Sequence, residues 1–185
     1  MTAFASTPAM SQMIVFGDSG GHACYNAART GNDSLGALDD CTHALETNLL
    51  NRRDRAATHH NRGIIHRLRG DLDAAMADYH ESQRLEPDMP ESYVSEGNVL
   101  YVMDDFDGAL RAYDAALERD LPVAHVAHYN RGLVYEAMER LDAAEQAFND
   151  AAAASPEWRL PQEGLARIAE KRAAIAAQAA RRNGS

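Results

Sequence analysis

From His59 onward, small, aromatic and proline residues return along the chain in one order with nearly constant gaps. Gly63, Gly97 and Gly132 are 34 and 35 residues apart; Ala75, Ala109 and Ala144 follow them by twelve, and Tyr79, Tyr113 and Phe148 follow those by four. Pro87, Pro122 and Pro156 close the three units. Each unit contains two helical patterns, so the spacing predicts a stack of helix-turn-helix pairs. The residue types have mechanical reasons. A glycine on the first helix lets the second approach closely, at a cost of about 1 kcal/mol relative to alanine. The alanine does the same from the facing helix, and the aromatic one turn later fills the space towards the next unit. Proline ends the second helix and presets the first turn of the next. One such hairpin cannot bury its own apolar faces, so stacking is required.

The pattern continues in weaker form at both ends. In "CYNAARTGNDSLGALDDCTHALETN", Ala37, Cys41 and Ala44 keep the spacing of the second helix, and the first helix is cut to about His22 to Thr30. The following "LLNRRDR" is expected as a loop four residues longer than its counterparts. Such a degenerate unit has the character of a terminal cap. Pro161 to Arg182 reads as one more helix, with Leu165, Ile168 and Ile175 as the apolar stripe that closes the other end.

A period near 34 with Gly, Ala, aromatic and Pro at these positions resembles the tetratricopeptide repeat, W-x2-L-G-x2-Y…A-x3-F…P. The resemblance covers His59 to Pro156 and implies an all-α fold: a right-handed α-solenoid of stacked units with a C-terminal capping helix. The expected division is a lead-in at 1–21, a degenerate first unit at 22–53, three clear units at 54–88, 89–122 and 123–157, and a capping helix and tail at 158–185. The chain also departs from the family. Where Trp and Leu are usual, it has His59 and Arg62, Tyr93 and Glu96, His128 and Arg131, so the first helices are unusually polar.

Charge and composition remove several classes of function. With 18 basic against 28 acidic residues the net charge is −10, which repels a phosphate backbone unless basic residues cluster. The one basic run, "NRRDR" at Asn51 to Arg55, is short and interrupted by Asp54, so nucleic acid is not an expected partner. No stretch reaches the roughly 20 apolar residues of a membrane span. There is no Gly-rich phosphate loop, and no cofactor is expected. "FGDSGG" at Phe16 to Gly21 looks like the nucleophile segment of trypsin-like proteases with Ser19 as nucleophile, but that fold needs strands and this chain reads as helical. Acidic pairs Asp39-Asp40 and Asp104-Asp105 read as solvated or N-capping.

Two chemistries stay open at this stage. Cys24 lies eight residues before the turn near Asn32 and Cys41 nine after it, which sets them opposite one another in a hairpin. A bond would close an 18-residue loop, stabilising by roughly 3 kcal/mol in the chain-entropy model; the alternative is two reduced thiols packed as small apolar groups. Ala3-Phe4-Ala5 before Ser6 resembles the end of a secretory signal, without the charged start or apolar run. Together these point to a periplasmic or secreted protein, with the cytoplasm as the alternative. His125 with His128, and His59, His60 and His66, invite a metal or hydrolytic reading. Yet His59, His66 and His128 stand at packing positions, and no H-E-x-x-H or C-x-x-C is present. No metal ligand and no enzyme activity are therefore expected.

The resemblance also implies a function: binding of a partner's peptide segment in a groove lined by first helices. Carried onto this chain, the groove positions are His60, Asn61, Ile64 and Arg67; Glu91, Val94, Ser95, Asn98 and Tyr101; Val126, Tyr129, Asn130, Leu133 and Glu136. The family's clamp for a C-terminal carboxylate uses Lys and Arg with Asn. Here Asn61, Asn98 and Asn130 remain, and Glu91 stands where a Lys would be. The expected ligand is an extended segment held through its main chain by amides and a few apolar side chains. Alternatives are a structural subunit that binds copies of itself, or a face that only stabilises its own helices or covers the chain's own "MIVFG".

Overall fold

The computed structural model describes residues 19–47 and 49–183. These residues form helices α1 (Ser19–Thr30), α2 (Leu35–Glu46), α3 (Arg52–Arg69), α4 (Leu72–Leu85), α5 (Pro90–Val102), α6 (Phe106–Leu117), α7 (Ala124–Ala137), α8 (Leu141–Ala154) and α9 (Leu160–Asn183), with no strand among them. Consecutive helices pack as α1–α2, α3–α4, α5–α6 and α7–α8 hairpins. The first helices also touch in the series α1, α3, α5, α7 and α9. The architecture is the all-α solenoid that the repeat implies.

The glycine and aromatic positions do the work assigned to them. A Cβ on Gly63 would stand 2.6 Å from the Tyr79 ring, and one on Gly97 would stand 2.5 Å from that of Tyr113. Gly132 meets Phe148 in the same way, and Gly164 of α9 presses on the other side of that ring, which couples the last hairpin to the cap. Ala75, Ala109 and Ala144 are fully buried beside them. In the first unit the equivalent contact joins Cys24 and Cys41: their Cα atoms are 4.7 Å apart, and both side chains are buried.

Three details differ from the sequence reading. Helix α1 starts at Ser19, three residues before the expected His22, and takes Ser19-Gly20-Gly21 into its first turn. Arg52 to Arg55, expected as part of a long loop after the first unit, instead lengthen α3, which has 18 residues against 13 and 14 in α5 and α7. Asn51 caps this longer helix, accepting from the Asp54 amide at 2.9 Å. Arg55 turns back to donate to the Leu45 and Thr47 carbonyls at the end of α2, where a cation is favoured. The third correction concerns α9. Pro161, Gly164 and Ile168 are its buried residues and Leu165 is half-buried, whereas Ile175 is exposed because the helix outruns the array it caps.

Candidate functional site

The expected groove positions all lie on α3, α5 and α7, with Ile64, Val94 and Tyr129 packed into the cores of their own hairpins. His60, Asn61, Ile64, Val94, Ser95, Val126, Tyr129 and Asn130 are buried, and Arg67, Glu91, Asn98, Tyr101, Leu133 and Glu136 are half-buried. Two of these side chains, Asn98 and Asn130, meet across a repeat boundary. Asn130 Nδ2 on α7 donates to Asn98 Oδ1 on α5 at 2.8 Å, and the Tyr113 hydroxyl on α6 donates to the same oxygen at 2.8 Å. With that oxygen taken twice, Asn98 Nδ2 remains as a donor group. Burial pushes the Tyr113 phenol far above its ordinary range, so it stays protonated as a donor at all ordinary pH. The equivalent Tyr79 is likewise pushed up by burial, against the pull of Arg67 and Ser95 beside it.

At the C-terminal end of this face, α9 contributes residues that the repeat pattern did not single out. Arg167 donates to Glu136 at 2.9 Å, and Lys171 lies 2.9 Å from the other carboxylate oxygen. Burial disfavours the charged Glu136, but these two partners outweigh it and hold the carboxyl below its usual range. Next to them, the Trp158 ring meets His125 and Tyr129 edge-on, each at 5.0 Å, and Tyr129 packs on Phe148 at 5.5 Å. The only signal for Arg167 and Lys171 was their place on the capping helix after Gly164; the repeat period stops before it.

His59 and Arg62, which stand where the family has Trp and Leu, reach towards α2 and α4. Arg62 grips Asp78 with two hydrogen bonds of 2.8 Å, His59 Nδ1 meets the same carboxylate at 2.9 Å, and Arg62 also reaches the Thr42 hydroxyl at 3.1 Å. His66 Nε2 stands 3.9 Å from Asp78. Burial disfavours the charged Asp78, yet His59 and Arg62 hold its carboxyl below its usual range. The His60 ring meets that of Tyr79 at a tilt of 44° with centroids 5.6 Å apart, and burial lowers the pKa of both His125 and His128. Among the described residues no three His, Cys, Asp or Glu side chains are grouped to hold a metal ion. None of their helices is long and apolar enough to cross a membrane. Ser19 stands in the first turn of α1, and the rest of the protease-like stretch, Phe16 to Asp18, lies outside the described residues.

The hairpin array, with small-residue contacts inside each pair and first helices side by side, is an α-solenoid. Residues 94–157 match the tetratricopeptide repeat family. Among solved structures, the chain is similar to MamA, with a TM-score of 0.70 and 19% identity over 86% of this chain and 87% of that one. It is similar to MamA 41-end from Desulfovibrio magneticus RS-1, with a TM-score of 0.67 and 20% identity over 84% and 86%. It is also similar to the first tetratricopeptide domain of Spaghetti (RPAP3) bound to an HSP90 peptide, SRMEEVD, with a TM-score of 0.60 and 18% identity over 64% and 93%. At these identities the likeness is one of fold.

Proposed function

We propose that the chain is a non-catalytic interaction module that binds an extended segment of a partner protein across α3, α5 and α7. One observation carries this reading: the Tyr113–Asn98–Asn130 network ties one unit to the next and leaves the Asn98 amide as a fixed donor on that face. A fixed donor suits the main-chain carbonyls of an extended peptide, and the half-buried Tyr101 and Leu133 offer apolar contact on the same set of helices. Two findings favour such a segment over a charged C-terminus. Glu91 occupies one edge of the face, and Glu136 already engages the two cations at the other. A structural neighbour of the same fold holds a peptide, which is the precedent for binding by this architecture. We further propose that the protein works in an oxidising compartment, periplasmic or extracellular, with Cys24 and Cys41 bonded. Their adjacency within the first hairpin supports this.

The test is affinity for a partner captured on the immobilised full chain. Changing Arg67, Tyr101 and Leu133 together to Ala spares the buried amide network; because Tyr101 and Leu133 also pack on core residues, circular dichroism establishes first that the variant is folded at the assay temperature. Affinity should fall at least tenfold. Unchanged affinity would move the interaction off this face.

A further inference from the structure

Helix α9 is longer than the array it closes, with 24 residues against 13 and 14 in α5 and α7. Lys171 meets Glu136 near the end of α7, and Arg172 meets Asp142 and Glu145 at the start of α8. Positions 171 and 172 are therefore level with the turn that joins α7 to α8. Residues 173–183 are all exposed and carry the helix about 16 Å past that turn. A helical segment this short is marginal in water by itself, so a packed neighbour would favour it. Ile175 stands seven residues after Ile168 and eleven after Gly164, on the face of α9 that packs against Phe148 lower down. Beyond the array, the same face looks out over the hairpin turns.

Those turns share one edge, because the first helices lie side by side. Of the six large apolar side chains exposed among the described residues, five belong to this edge or overhang it: Leu35, Leu68, Val102, Met103 and Ile175. The edge is thus the floor of a step, and α9 is its wall. Charge differs between the two. The turns after α5 and α7 expose Asp104, Asp105, Asp107 and Glu139 against one cation, Arg140, while the wall ends in Arg181 and Arg182. In a chain of net charge −10, the wall of one molecule suits the floor of another. A helix laid against the wall lies about 8–10 Å from α9, which places it over the α7–α8 turn and beside the α5–α6 turn.

We propose that this step is a self-association site, in which the overhang of a second copy lies antiparallel against α9 and the two steps interlock about a two-fold axis. Ile175 of each copy packs on Ala179 and on the aliphatic stem of Arg182 of the other. Arg181 and Arg182 of each come over the other's acidic turns. Such a contact is self-complementary and closes at two copies. The site is separate from the face across α3, α5 and α7, so either can fail without the other.

Sedimentation equilibrium of the full chain tests this, with circular dichroism to confirm that each variant is folded. The parent should form a dimer at micromolar concentration. Ile175→Asp alters an exposed residue and should weaken the dimer roughly tenfold or more. Reversing the tip, Arg181→Glu with Arg182→Glu, should weaken it likewise, as should reversing the floor, Asp104→Arg with Asp107→Arg. An equimolar mixture of the tip-reversed and floor-reversed chains should associate again, because every tip then meets a floor of opposite charge. Geometry is read separately: Ala179→Cys should give a covalent dimer on mild oxidation, and Ala173→Cys, on the far side of the helix, should not. A parent that stays monomeric overturns the proposal. So do variants that dimerise like the parent, a mixture that does not associate, or equal cross-linking at the two positions.

Discussion

Asp78 shows how much a single polar residue organises here. Its carboxylate, with 5% of its side-chain surface exposed, receives Arg62 and His59 from α3, and Arg62 extends the link to Thr42 on α2. Burial alone would raise its pKa, and the lowered value shows that the partners more than offset that cost. A carboxyl depressed on folding contributes stability that is fully present above its unfolded pKa of about 3.9 and is lost as pH falls through the lower folded value. The melting temperature should therefore hold near neutrality and decline below about pH 4. Asp78→Asn should cost roughly 3 kcal/mol at pH 7 by leaving the Arg62 guanidinium without its charge partner. It should also flatten the acid limb in a series of thermal melts. A variant with the parent's acid limb would show that Asp78 is not the group responsible. In the sequence, His59 and Arg62 were legible only as departures from the family's Trp and Leu. Their partner lies 16 and 19 residues away on another helix, beyond any local pattern.

The hairpins show which elements local sequence specifies. In each unit the turn between helices needs a residue in the left-handed region: Gly31, Gly70, Asp104 with φ 61° and Glu139 with φ 58°. Each is followed by a residue whose amide reaches five positions back, as Asp71 does to His66, Asp105 to Leu100 and Arg140 to Tyr135, which closes the first helix in a Schellman-type turn. A side chain at such a φ costs about 1–2 kcal/mol, and glycine's greater freedom in the unfolded chain returns roughly 0.4–1 of that. Glu139→Gly should accordingly stabilise the protein by roughly 0.5–1 kcal/mol, and Gly70→Ala should destabilise it by about 1. Urea unfolding of the two variants checks both signs. Helix pairs and their contacts were legible because glycine, alanine and aromatic sit at fixed spacing. The extension of α3 was not: "NRRDR" reads as a charged loop until Asn51 is seen capping it and Arg55 bonding back to α2. Ile175 misled in the opposite direction, since helical spacing shows which face is apolar but not where the neighbouring helix ends.

At the scale of the molecule, each hairpin of the described residues touches only its neighbours, so stability is a chain of local interfaces and the ends decide where unfolding starts. The C-terminal end is held by Gly164 against Phe148 and by Arg167 and Lys171 on Glu136. At the N-terminal end the first hairpin has no aromatic to fill its interior, because Cys41 stands where Tyr79, Tyr113 and Phe148 stand in the others, and Cys24 stands where they have glycine. What the sequence showed as two cysteines at matched distances from a turn is, in the structure, the small-residue contact of every other unit rebuilt with sulfur. A bond between them closes an 18-residue loop and contributes roughly 3 kcal/mol through the unfolded chain. Protein prepared under oxidising conditions and denatured without reductant should take up no alkylating label at either cysteine. After reduction, stability should fall by roughly 3 kcal/mol. The loss should also be polar: amide hydrogen exchange should accelerate most in α1 and α2, less in α3 and α4, and hardly at all in α7 and α8, because a linear array frays from its weakened end. Two labels on the oxidised protein would remove the bond, and uniform acceleration along the array would show instead that the first hairpin and the rest unfold as one unit.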